Sequence, residues 1–205
     1  MKKGTETKEK IVQKALELFH EKGYNHTSMN DIVDLTGVKK GNLYFHYNSK
    51  EELAVEVLKE ALRDYDSFIS SRMSGATPLA RLISMIDAIA AYHVEKGNGR
   101  GCIFGNMALE SRERDSTLSK FVQSVFEKWE SNISALLKSG INSGEIMESG
   151  STERYARVII SQLEGAVMLS RVYSEYGPLR ESADVIIKQL KSLRREVCDA
   201  DERGD

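Results

Sequence analysis

The chain has 205 residues, which is enough for one large domain or for a small domain joined to a larger one. Helix-forming residues recur throughout and only two prolines occur, so the composition predicts an all-α protein and argues against intrinsic disorder. The two cysteines lie far apart, the amino terminus lacks an apolar leader, and no apolar run is long enough to span a membrane. These features favour a cytoplasmic protein with no membrane partner.

Charge is unevenly distributed along the chain. Residues 1–50 contain nine lysines and six acidic residues, a balance of +3, whereas the whole chain carries −2, so the remainder carries −5. Positive charge is therefore concentrated at the amino-terminal end. This asymmetry suits a small DNA-reading part on an acidic body.

Three helical segments are predicted within residues 1–50. The first is capped by Thr7 or Thr5 and ends at Gly23. The second begins at a capping box formed by Ser28 and Asp31, and a glycine turn stops it after a few residues. The third covers the segment KKGNLYFHY. The pattern predicts two short helices joined by a tight turn.

Six more helices are predicted in the remainder of the chain. Ser49 with Glu52 forms a second capping box, which opens a helix from about residue 49 to 72 that links two parts of the protein. Pro78 opens a helix to about residue 96, and a glycine-rich loop follows. Further helices are predicted at about 102–114, 116–139 and 152–176, and from Pro178 to about 197. We therefore expect about nine helices, with a three-helix domain at 1–50 and a larger domain at 51–205.

The third helix has the composition of a DNA-recognition helix. The major groove admits one α-helix, whose first turn must approach phosphates closely and whose later side chains must read base edges. Small, basic, amide and flat side chains meet those needs, and the segment supplies Lys39, Lys40, Gly41, Asn42, Tyr44, Phe45 and His46. Tyr47, by contrast, is expected in the core of the small domain beside Phe19 and Leu43.

The segment TSMNDIVDLTGVKKGNLYFHYNSKEEL, preceded by ALELFHEKGY, resembles the helix-turn-helix signature of the tetracycline repressor family over about residues 7–58. Beyond residue 59 the chain resembles that family in helix count and layout only. The resemblance implies a homodimer that binds a palindromic operator and is released by a small-molecule effector. It also implies phosphate contacts from Thr27 or Ser28, Lys40, Tyr44 and Lys50, and base contacts from Asn42, Phe45 and His46.

Two positions depart from the common pattern of that family. Lys39 stands where a serine or threonine often caps the recognition helix, so we expect a weaker cap and an additional cation for phosphate. Phe45 replaces a residue that is often polar. Its ring can touch a thymine methyl or a sugar but cannot donate a hydrogen bond. Lys50 has two interpretations, a solvated residue of the first helical turn or a phosphate ligand, and the latter is favoured.

Bulky side chains of the larger domain are candidates for the lining of an apolar effector cavity, although each taken alone is more often part of a packed core. They are Met85, Tyr92, Phe104, Met107, Phe126, Trp129, Tyr155 and Met168. The segment GCIFGNM resembles one branch of the family in which it leads into a helix beside the cavity, which adds Cys102. Buried packing is the favoured role of this cysteine, with a sensor thiol as the alternative.

Two apolar seams near the carboxyl terminus predict a dimer interface built as a four-helix bundle from both subunits. The candidate interface residues are Val158, Leu163, Ala166, Val167, Ile186, Leu190 and Leu193.

Two other functions compete with a ligand-responsive repressor. A helical-bundle enzyme would need clustered catalytic groups or a cofactor fingerprint, and neither is visible, so we expect no catalysis and no cofactor. The four histidines share no short spacing, so no metal site is expected. A constitutive DNA-binding protein without ligand sensing remains the main alternative, and a fully packed carboxyl-terminal domain would favour it.

Overall fold

The computed structural model describes residues 2–97, 99–111, 116–148 and 150–195. Within these ranges the chain forms nine α-helices and no strand, which confirms the all-α prediction. The helices are α1 (Lys2–Lys22), α2 (Met29–Thr36), α3 (Lys40–His46), α4 (Lys50–Arg72), α5 (Pro78–Glu95), α6 (Ile103–Glu110), α7 (Thr117–Asn142), α8 (Thr152–Tyr173) and α9 (Gly177–Ser192). A single antiparallel bridge pairs Ile146 with Arg194 in the described part of the chain.

Several helix ends differ from the sequence-based expectations. Helix α1 already begins at Lys2, so Thr5 and Thr7 lie within the helix and neither caps it. Helix α6 ends at Glu110, and the last residues of its expected range, 112–114, lie outside the described residues. Helix α9 ends at Ser192, whereas its expected end near residue 197 also lies outside the described residues.

The local signals at the helix starts act largely as expected. Ser28 and Asp31 form the complete capping box of α2. The box expected at α4 is half formed: Ser49 accepts from the Glu52 N–H, but the Glu52 carboxylate accepts from Asn48 instead of Ser49. Thr77 caps α5 ahead of Pro78, whose ring suits the first turn.

The first three helices pack into a small unit around Phe19, Ile32, Leu43 and Tyr47, as predicted for Tyr47. Helix α4 contacts this unit through α1 and also contacts α5 and α7. Helix α8 packs against both α7 and α9. None of the described helices is both long and apolar enough to cross a membrane.

Candidate DNA-binding surface and effector cavity

Helices α2 and α3 form a helix-turn-helix whose turn depends on Gly37. Gly37 adopts φ +66°, a left-handed conformation that residues with a Cβ adopt at a cost, and its N–H donates to the Val33 carbonyl at 2.8 Å. Leu43 is fully buried and anchors the inner face of α3. The opposite face of α3 is therefore held outward on a short, fixed helix.

The outward face of α3 carries the residues predicted to contact DNA. Lys39, Lys40, Gly41, Asn42, Tyr44 and Phe45 are exposed, and His46 is half-buried. Phe45 is 85% exposed, and the edge of its ring contacts the His46 ring at a centroid distance of 5.4 Å. Among the ion pairs of the described residues none involves Lys39 or Lys40. Lys39 and Lys40, which form no ion pair with the described residues, thus lie on the same surface as the exposed Phe45 ring.

Lys39 provides no side-chain cap to α3, as expected. Its backbone holds the cap position, and its side chain is left exposed. The ammonium of Lys40 lies 6.0 Å from the centre of the Tyr44 ring, which keeps these two side chains together on the surface.

Thr27 and Ser28 occupy different environments. Thr27 is 1% exposed and its hydroxyl donates to the Gly23 carbonyl at 2.7 Å, so this side chain closes the α1–α2 turn and is not available to phosphate. The expectation of a Thr27 side-chain contact is therefore wrong. Ser28 is exposed, although its hydroxyl belongs to the capping box with Asp31, which also lowers the Asp31 pKa to about 2.

Lys50 is held against the α1–α2 turn. Its ammonium donates to the Tyr24 carbonyl at 2.9 Å and lies 4.3 Å from the centre of the Tyr24 ring. Burial lowers the Lys50 pKa, and the charge of Glu110 acts in the opposite direction. Lys50 thus has a structural contact at the site where phosphate binding was expected.

A cavity of about 350 Å³ lies among helices α4, α5, α7 and α8. Its inner wall is apolar and aromatic, whereas its exposed lining residues, which include Ser70, Arg81 and Asn132, form the opening. The buried lining includes Tyr65, Ile69, Met85, Ile89, His93, Ile133, Leu163 and Val167. The size and lining suit a small apolar molecule.

Two of the predicted cavity residues, Met85 and Trp129, line this space. The rings of Phe104 and Phe126 instead support Trp129 at centroid distances of 5.4 and 5.1 Å. Tyr92 packs against Tyr65, at a centroid distance of 4.9 Å. The aromatic side chains therefore form a cluster behind the cavity wall.

The remaining predicted cavity residues lie elsewhere. Met107 is fully buried and Tyr155 packs against the core, and neither borders the cavity. Cys102 and Met168 border a separate groove between α6 and α8 on the outside of the larger unit, as does Phe126. The prediction of a common cavity lining is wrong for these residues.

Sequence reasoning missed the contribution of α4 to the cavity lining and that of Ile133 on α7. Tyr65 and Ile69 fall in the apolar stripe of α4, and Ile133 falls in that of α7, so their burial was predictable. Which stripe residues border an empty space depends on how neighbouring helices cross, and periodicity carries no such information.

Two titratable side chains lie on the cavity wall, where His93 is buried and Glu164 is half-buried. Burial, with a smaller effect from His20, lowers the His93 pKa to about 4. Burial raises the pKa of Glu164 on α8, whereas a hydrogen bond from the Cys102 thiol lowers it. Burial also raises the pKa of the Cys102 thiol well above its usual range, so a reactive thiolate is disfavoured and the packing role is supported.

Two structural connections join the cavity to the helix-turn-helix. Helix α4 begins beside the recognition helix and lines the cavity farther along with Tyr65 and Ile69. At the end of α6, the Glu110 carboxylate accepts from the Asn25 N–H at 2.7 Å, and its carbonyl accepts from the Asn25 side chain at 3.0 Å. Helix α4 thus extends from the helix-turn-helix to the cavity wall, and α6 contacts the turn between α1 and α2.

Comparison with known proteins agrees with this architecture. Residues 11–57 match the family model for bacterial regulatory proteins of the tetR family, and residues 78–186 match the tetracyclin repressor-like carboxyl-terminal domain. The chain belongs to the tetR family. It is a DNA-binding transcriptional repressor of that family, whose members are transcriptional regulators and not enzymes.

Relatives within the tetR family match nearly the full length of the chain. The transcriptional repressor DhaR of Mycobacterium sp. (strain GP1) is 27% identical over 188 residues, which cover 91% of this chain and 93% of DhaR. A regulator of Lactococcus lactis subsp. lactis from the lacX 3′ region is 30% identical over 186 residues, covering 88% and 91% of the two chains.

A solved tetR-family structure also superimposes closely. The regulator from Chloroflexus aurantiacus J-10-FL has a TM-score of 0.87 and 31% identity, and the match covers 96% of this chain and 100% of that one. The helix order described above is thus an arrangement found in this family.

The residues predicted to form the tetR-type dimer interface lie mostly inside the protomer. Val158 is 56% exposed and Leu193 is partly buried, but the other five predicted residues are between 0% and 5% exposed. The buried residues are Leu163, Ala166, Val167, Ile186 and Leu190. These residues lie where α8 packs against other helices of the same chain, α9 among them. The prediction that they form the dimer interface is therefore wrong. The apolar seam of α8 requires a partner, and α9 of the same chain is that partner.

The outer face of α8 carries several exposed apolar side chains. Val158, Met168, Val172 and Tyr173 are each more than half exposed, and Leu169 is 40% exposed. Gly165 lies between them and brings the helix backbone close to the surface. Contiguous exposed apolar side chains of this kind mark interaction surfaces.

Proposed function

We propose that this protein is a homodimeric repressor that binds a palindromic operator and releases it when a small apolar effector enters the cavity. Residues 1–50 read DNA, and residues 51–205 sense the effector and form the dimer. The protein acts in the cytoplasm by binding alone, without a catalytic step or a cofactor. The observation that carries this proposal is the position of α4, which borders both the recognition helix and the cavity.

The exposed face of α3 supports the DNA-binding part of the proposal. Lys39, Lys40 and Tyr44 contact phosphate, while Asn42 and Phe45 face the major groove. Ser28, Gly41, His46 and Lys50 remain in the proposed contact surface. Lys50 contributes to it while it braces the α1–α2 turn, because its ammonium has two further hydrogens to donate.

The second copy is proposed to pack against the outer face of α8. Substituting Val172 by glutamate places a charge in this surface and is expected to produce folded monomers, since a buried unpaired charge costs on the order of 3 kcal/mol or more. Val172→Thr keeps the shape without the charge and is expected to remain dimeric. Analytical ultracentrifugation measures the difference, and an intact dimer for Val172→Glu would exclude this face.

Operator binding and release are tested in one series. Selection from random duplex DNA is expected to yield a palindromic operator, and fluorescence anisotropy then measures its affinity during a screen of small aromatic compounds. The variant Ile89→Trp places a larger side chain in the cavity. It is expected to bind operator like the wild type but to lose the change in operator affinity that the compounds cause. If no compound changes operator affinity, or if Ile89→Trp responds like the wild type, ligand-controlled release is excluded and constitutive DNA binding is favoured.

A further inference from the structure

Glu164 is a carboxyl group placed inside an apolar wall. It lies on α8, where it borders both the cavity and the outer groove between α6 and α8. Its Oε2 atom lies so close to Gly105 that a Cβ at that position would be 2.6 Å away. Gly105 therefore makes room for Oε2, which faces the first turn of α6, while the Glu164 side chain also borders the cavity.

The hydrogen-bonding capacity of Glu164 is largely unused. Among the described residues its hydrogen-bonding neighbour is the thiol of Cys102, which is a weak donor, whereas a carboxylate has about four lone-pair sites. Glu164 takes part in none of the ion pairs formed by the described residues. A polar group that is largely shielded from water and has unmet hydrogen-bonding capacity destabilises the free protein and gains from a suitable ligand.

The charged groups around Glu164 do not supply the missing donor. On the groove side, Arg157 pairs with Glu130 at 2.8 Å, and Arg171 donates to Asn106 at 3.4 Å. On the cavity side, Asp66 pairs with Lys128, Arg81 lies at the exposed opening, and buried His93 is held neutral by its lowered pKa. The inner end of the cavity thus combines an acceptor with aromatic rings and no cation among its described residues.

We propose that the effector is a compact apolar molecule bearing a strong hydrogen-bond donor, a phenol or a protonated amine, that binds to Glu164. This inference rests on the proposed function, because it names the chemistry recognised by the same cavity. The Tyr65 and Trp129 rings would contact the apolar body of the effector, and they favour an aromatic or cationic group. A cavity of about 350 Å³ limits the effector to a small molecule.

Shape-matched ligand pairs test the proposal. The first pair is para-ethylphenol and para-ethyltoluene, and the second is phenethylamine and propylbenzene. In each pair only one member donates a hydrogen bond. Calorimetric titration of the wild-type dimer is expected to show that the donor member of at least one pair binds about tenfold more tightly or better. A preference in the first pair identifies a phenol as the donor group of the effector, and a preference in the second pair identifies a protonated amine.

Variants assign that preference to Glu164. Glu164→Leu removes the acceptor and is expected to abolish the preference. Glu164→Gln retains an acceptor but no charge, so it is expected to keep part of a phenol preference and to lose an amine preference. Glu130→Gln is the matched control, because Glu130 borders the groove and not the cavity, and it is expected to behave like the wild type. Thermal melts check that each variant is folded.

Three results would overturn the proposal. They are equal binding within both pairs, an undiminished preference in Glu164→Leu, and no binding of either pair to the wild type. Operator affinity is measured in the same samples, so a failure of the proposed function is seen separately. If ligands without donors release operator, only the assignment of ligand chemistry is wrong. If no bound ligand changes operator affinity, ligand-controlled release itself is wrong.

Discussion

Replacing His93 by glutamine is expected to remove part of the pH dependence of stability. His93 is 7% exposed, and burial lowers its pKa from 6.5 to about 4. The unfolded chain therefore takes up this proton first as the pH falls. The contribution of neutral His93 to the free energy of unfolding is fully present above about pH 6.5 and is lost as the pH falls toward about 4. Between about pH 7.5 and about pH 5, the difference between the His93 pKa values of the unfolded and folded chain corresponds to a loss of about 2 kcal/mol in the free energy of unfolding.

Urea unfolding at a fixed protomer concentration measures this loss, since dimer stability depends on concentration. The free energy of unfolding of the wild type is expected to fall by about 2 kcal/mol more than that of His93→Gln over this pH range. The pKa of His20 is also lowered to about 4, but His20 is present in both proteins, so its own contribution cancels apart from its smaller effect on His93. Equal losses of unfolding free energy in the two proteins would mean that His93 accepts a proton in the folded protein. The description of His93 as a neutral group on the cavity wall would then be wrong.

Three further predictions concern the DNA-binding surface. Ser28→Ala removes the capping box of α2 and is expected to cost about 1 kcal/mol in urea unfolding; no change would show that the cap contributes nothing. Lys40→Ala is expected to reduce the slope of log affinity against log salt by about one, whereas Lys138→Ala, in the larger domain, leaves the slope unaltered; equal slopes would remove Lys40 from the phosphate contacts. Replacing operator thymines by uracil one at a time is expected to weaken wild-type binding at one position or more and to leave Phe45→Ala unaffected there; a uracil effect that persists in Phe45→Ala would assign the methyl contact to another residue.

The helix-turn-helix was predictable because its determinants are local. The Ser28 and Asp31 capping box, the turn at Gly37 and the buried Leu43 are each encoded within a few residues, and the structure contains all three. Thr27 was not predictable in the same way. The sequence shows a hydroxyl at the right place for a phosphate contact, but the path of the preceding turn directs it to the Gly23 carbonyl.

The larger domain was predictable only in its helix count and approximate boundaries. The apolar stripe containing Leu190 requires burial, and α8 of the same protomer is as suitable a partner as a second subunit. Leu190→Glu is consequently expected to unfold the protomer instead of separating two folded subunits. The cavity and Glu164 depend on the crossing of four helices, so neither follows from the periodicity of any one of them.

The central claim, that the cavity controls DNA binding, is tested most directly by calorimetric titration of an effector identified in the screen, with and without saturating operator. Linkage requires operator to weaken effector binding by the same factor by which effector weakens operator binding. We expect that factor to be about 5–150, for a coupling free energy of roughly 1–3 kcal/mol. Equal effector affinities in the presence and absence of operator would contradict ligand-controlled release.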